Sequence, residues 1–101
     1  MNNLTLVPNE EAPFGCQETQ NILRELHKNK TPFAVAWKNS KEGVQLWADS
    51  LGQFHGRTAA GHPLLVVKNE EGQVVWAGAR PTTEETEEAL RVLNHHSSSV
   101  A

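Results

Sequence analysis

The chain has a single cysteine, Cys16, in 101 residues, so it cannot close an internal disulfide. It has no apolar run approaching the ~18 residues needed to cross a bilayer. Its start, MNNLTLVPNEE, lacks the basic flank and hydrophobic centre of a secretory signal. It also lacks a basic stripe. The nine Lys and Arg residues are scattered among 12 Asp and Glu, for a net charge of −3, which excludes an electrostatic footprint for nucleic acid or an anionic membrane surface. There is no P-loop, no G-x-G-x-x-G, no G-x-S-x-G and no H-E-x-x-H. The apolar fraction, 38%, is low, but Leu, Val and Ala recur in ordered blocks, which argues against disorder. These absences predict one domain over 1–101, with a frayed tail from about residue 96, a reduced thiol and a cytoplasmic location.

What is there alternates between two periods. Leu4 to Val7 is β-prone and is stopped by Pro8; PNEEAPFG is a polar loop. From Cys16 to Asn29, Thr19, Leu23 and Leu26 recur at helical spacing, with Ile22 widening the stripe. His27, Lys28 and Lys30 suit the carbonyl end of that helix, and Thr31-Pro32 ends it. Phe33 to Trp37 reads as a buried strand. Two readings are open for residues 40–52. As a helix the segment has Asn39 at its N-cap, Glu42 three residues later and Val44, Trp47, Ala48 and Leu51 on one face. As a hairpin, SKEG turns and VQLWAD returns, with imperfect alternation. The helix fits the apolar spacing better. Leu64 to Lys68 and Gln73 to Ala77 are strands joined by Asn69 to Gly72, with glycine where positive φ is needed. Thr82 or Thr83 caps a last helix, Thr82 making a capping box with Glu85, and its apolar stripe is Thr86, Ala89, Leu90 and Leu93. The order β-α-β-α-β-β-α makes an α/β domain: a four-stranded mixed sheet flanked by three helices.

In GHPLLVVKNEEGQVVWAG, residues 61 to 78, a fully apolar strand opens with proline, which cannot donate to a sheet ladder. The run Gly61-His62-Pro63, LLVVKN, a glycine-containing turn, VVWAG and an acidic helix resembles the C-terminal half of thioredoxins. The short first strand, the loop leading to Cys16 and its helix, and Pro32-Phe33 at the second strand are similar to glutaredoxins. The resemblance covers most of the chain and implies a thioredoxin-like fold with a cis His62–Pro63 peptide, Pro63 lying close to Cys16. It implies further that the backbone of His62 pairs with a peptide or with glutathione. No cofactor is expected from the residues, and glutathione is the small molecule that the resemblance admits. The partner it implies is a protein or peptide thiol or disulfide.

The redox motif departs from the family's. Cys-x-x-Cys is here Cys16-Gln17-Glu18-Thr19, so no second thiolate can release a mixed disulfide, and independent dithiol reductase activity is excluded by counting. Monothiol glutaredoxins share iron–sulfur clusters between chains through a pattern from which CQET also departs. Arg80-Pro81-Thr82-Thr83 replaces the glycine-rich start of the last helix that helps glutaredoxins hold glutathione.

The candidate catalytic residues are Cys16 and Thr19, and the candidate substrate-binding residues are His62, Pro63, Phe14 and Arg57. A helix N-terminus stabilises a thiolate, while Glu10, Glu11 and Glu18 oppose it. Thr19, one turn on, either donates to the sulfur or bonds its own helix backbone. Arg57 either meets a carboxylate or serves solubility. His55 with His62, and His95-His96, lack zinc-site spacing, so no metal is expected. Trp37, Trp47 and Trp76 are expected to pack the sheet, with room for one at a binding face. Three functions are consistent with this: a monothiol redox protein, a redox-inactive binding module of the same fold, or, if residues 40–52 form a hairpin, an unrelated α+β interaction protein.

Overall fold

The fold was analysed in a computed structural model, which describes residues 2–8, 17–51 and 61–94. Within them the elements are β1 (Asn3–Val7), α1 (Gln17–Lys28), β2 (Ala34–Val35), α2 (Lys41–Ser50), β3 (Leu64–Lys68), β4 (Val74–Ala79) and α3 (Thr83–Asn94). The sheet runs β2-β1-β3-β4, with β1 parallel to β2 and antiparallel to β3, and β3 antiparallel to β4. The expected order, the mixed four-stranded sheet and the three helices are therefore present. No helix among the described residues is long and apolar enough to cross a membrane.

Period-2 alternation divides the strand residues between two faces. Leu4, Leu6, Leu65, Val67 and Trp76 meet Ile22 and Leu26 of α1 and Ala89 and Leu90 of α3. On the opposite face Val7, Leu64, Val66 and Ala79 meet Ala36, just past β2, and Leu46 of α2. β3 is buried on both sides, which is why its sequence is a continuous aliphatic run.

Local chemistry sets the ends of the elements. Helix α1 stops where Lys30 turns left-handed at φ 53°, with Lys30 N–H on the His27 carbonyl and Thr31 N–H on that of Leu26. That is a Schellman stop with lysine where glycine is usual. The β3–β4 turn is held by Asn69, whose Oδ1 accepts from the N–H groups of Glu71 and Gln73, and Gly72 supplies φ 82°. Thr82 and Glu85 make the expected reciprocal cap, at 2.9 and 3.1 Å.

Two expectations are corrected. Residues 33–37 are not a buried strand. β2 is two residues long and lies at the sheet edge, so Phe33, Val35 and Trp37 stand exposed and only Ala36 is buried. Residues 41–50 are helical, which removes the hairpin, but the N-cap is Ser40, whose Oγ accepts from Gly43 N–H at 3.0 Å. The buried face is Gly43, Leu46 and Ser50 with Trp47 half-buried, and Val44, Ala48 and Leu51 point outward. Gly43 explains the rotation. Any Cβ there would collide with the Trp37 carbonyl oxygen, so the helix seats its glycine against the backbone leaving β2.

Candidate functional site

Pro63 is buried directly before Leu64, the first residue of β3, which pairs with Val7 of β1 and Ala79 of β4. At a strand's first residue the missing N–H removes no ladder bond. The His62–Pro63 peptide is cis, and Gly61 before it has φ 107° with open space where a Cβ would stand. The Pro63 carbonyl accepts the Arg80 N–H at 2.7 Å, extending the β3–β4 pairing one step past Leu64 and Ala79.

Arg80 then turns left-handed, at φ 52°, and its side chain crosses to α1. Its Nε donates to both carboxylate oxygens of Glu18, each at 3.0 Å. Glu18 is the second residue of α1 and lies two residues beyond Cys16. One arginine thus ties the Pro63 carbonyl, through its backbone, to the first turn of α1, through its side chain. Both side chains are partly exposed, so an ion pair of this kind contributes only ~0.2–1 kcal/mol. Its consequence is positional. It also supplies Glu18, counted above as opposing a thiolate, with a cation of its own.

On the opposite side, the His62 ring stacks on Trp47 of α2, with centroids 5.0 Å apart and an interplanar angle of 23°. This fixes the residue before Pro63 against a helix rather than leaving it on a free loop. Thr19 is fully buried in α1, and its hydroxyl has no hydrogen-bond partner among the described residues. It differs in this from Ser50 and Thr86, whose hydroxyls donate to the carbonyls four residues earlier, at 2.6 and 2.9 Å.

The structure therefore links Pro63 through Arg80 to Glu18 in the first turn of α1, and sets His62 against Trp47 of α2, while Thr19 lies buried in α1. Cys16, Phe14 and Arg57 lie outside the described residues, as do His55, His95 and His96. Sequence reasoning missed Arg80 and Trp47 as members of this group. Counting alone does not reach Arg80: pairing outward from Lys68 and Val74 sets residue 79 opposite 63, and the irregularity between Val67 and Lys68 shifts the register by one to bring Arg80 there. Trp47 needed the helix at 41–50 first.

Fold and site together define an α/β domain with a cis-proline strand start tied to a helix N-terminus. No family model matches the chain, and no curated protein or solved structure matches it.

Proposed function

We infer that the chain is a monothiol protein of the thioredoxin and glutaredoxin type, acting in thiol–disulfide exchange with a protein or peptide partner at a groove between Cys16 and Pro63. The observation that carries this is the Arg80 tie, a backbone bond to the Pro63 carbonyl and a side-chain pair with Glu18, two residues beyond the only cysteine in the sequence. In the proposed step the Cys16 thiolate attacks one sulfur of the guest disulfide. A mixed disulfide forms, the guest S–S bond breaks, and the other guest sulfur leaves as a thiolate. A second, external thiol such as glutathione then attacks the guest sulfur of the mixed disulfide and returns Cys16 as a thiolate. The His62 backbone and Pro63 hold the guest chain, with Phe14 and Arg57 as further contacts, and the unbonded Thr19 hydroxyl donates to the thiolate. Such chemistry fits a reducing, cytoplasmic setting.

The test is the rate of Cys16 alkylation against pH. Titration well below 7 is the expected result, and a thiol titrating near ~8.5, the free value, refutes redox use. Thr19→Ala is expected to move the midpoint upward; an unmoved profile removes Thr19 from the mechanism. The single cysteine favours a second reading, a protein-binding module that uses the same groove without redox chemistry. A well-folded Cys16→Ser variant that still captures the partners of the native chain would decide for it.

A further inference from the structure

The outer edge of the sheet is β2, on the far side of β1 from β3. Ala36 N–H donates to the Leu6 carbonyl at 3.0 Å, and Thr5 and Leu6 stand in register with Ala34 and Val35. In a parallel pair, alternate residues turn both backbone groups to one neighbour. Ala34 and Ala36 therefore face β1, while Phe33 and Val35 turn their N–H and C=O groups outward, where nothing among the described residues pairs with them. The Trp37 carbonyl is closed off by Ser40, whose N–H and Oγ donate to it at 2.9 and 2.7 Å.

The side chains repeat the pattern. Phe33, Val35 and Trp37 project from one face and are 37%, 46% and 51% exposed. Phe33 forms one wall of an apolar hollow completed by Leu23, Leu26 and Pro32, with His27 and Lys30 at its rim. Charge is segregated along the chain. Residues 24–41, which bracket this edge, carry Arg24, Lys28, Lys30, Lys38 and Lys41 against Glu25 alone. Six of the 12 acids gather elsewhere, Glu70 and Glu71 at the β3–β4 turn and Glu84, Glu85, Glu87 and Glu88 on α3, while the next acid along the chain from this window is Glu42, beside Lys41.

We propose that the β2 edge is a strand-addition site for an extended peptide in which aliphatic and acidic residues alternate. The outward backbone groups of Phe33 and Val35 extend the sheet by one guest strand. An aliphatic guest side chain fills the hollow beside Phe33, and guest carboxylates meet the flanking lysines. A second copy of the chain is the poorer occupant, because pairing two such edges sets one lysine-rich border against another. Lysines and a proline beside a short edge strand are recognised defences against self-pairing.

The experiment is calorimetric titration of the full chain with a short peptide alternating valine and glutamate, set against one alternating valine and lysine. Backbone amide shifts locate the contact. The acidic peptide is expected to bind and to move the amides of Phe33 and Val35, and the basic one is expected not to bind. Val35→Pro deletes an outward N–H without touching the β1 ladder, and should weaken binding about tenfold. The β1 amide shifts, kept in place, report that the variant is folded. Joint Lys30→Glu and Lys41→Glu should transfer preference to the basic peptide. Any of four results overturns the proposal: no heat at millimolar peptide, equal binding of the two peptides, shifts elsewhere on the molecule, or a sedimenting dimer that Val35→Pro abolishes.

Discussion

The two faces of the sheet are built to different standards. One is covered by two helices and closed around Trp76, whose ring lies so near Gly78 that an added Cβ would stand 2.6 Å from it. Among the described residues the other is covered by α2 alone, through Gly43, Leu46 and Ser50, with Val44 and Leu51 more than half exposed. The difference separates duties. The two-helix face supplies most of the large apolar burial, and the one-helix face brings Trp47 to His62 and so shapes the candidate site. A thinly covered face, resting on few buried side chains, is also the one expected to open first.

The sharpest trial compares Trp76→Ala with Leu46→Ala in urea denaturation followed by circular dichroism. The first should cost about 3–5 kcal/mol and the second about 2–3 kcal/mol. Equal losses would break the contrast between the faces. Next in size, Gly43→Ala should cost about 1–3 kcal/mol, because the new methyl meets backbone rather than a yielding side chain. It should also disturb the His62 ring resonances, and an undisturbed His62 would uncouple α2 from the site. At the end of α1, Lys30→Gly should stabilise by about 1 kcal/mol, since glycine adopts φ 53° without a Cβ penalty. The smallest stability effect belongs to Arg80→Gln, under about 1 kcal/mol. On the proposed chemistry it has a second consequence. Glu18 loses its cation, thiolate formation at Cys16 becomes less favourable, and alkylation at pH 7 slows. An unchanged rate would make the Arg80 tie purely structural.

The two-helix face was legible in the sequence because its elements carry strong, uninterrupted periods. Thr19, Ile22 and Leu26 in α1, Leu65 and Val67 in β3, and Thr86, Ala89 and Leu90 in α3 are buried as their spacing indicates. The one-helix face was not. Its buried stripe includes a glycine and a serine, which no count of apolar residues would choose, while Val44 and Leu51 match the apolar spacing and stand exposed. β2 misled for a related reason: FAVAW is as apolar as β3, and only the strand order shows that it lies at an edge. At the candidate site Pro63 announced itself by standing before an aliphatic run. Arg80 did not, because a left-handed arginine has no sequence signature.

The three tryptophans occupy three unlike environments. Trp76 is 1% exposed in the core, Trp47 is half-buried against His62, and Trp37 is half-exposed beside β2. The molecule therefore carries one intrinsic fluorophore for each of its regions. Trp76 should emit furthest to the blue, Trp37 furthest to the red and most open to iodide quenching, and Trp47 should respond to the charge on the imidazole stacked against it. With single-tryptophan variants, light alone can report separately on the core, the groove and the edge.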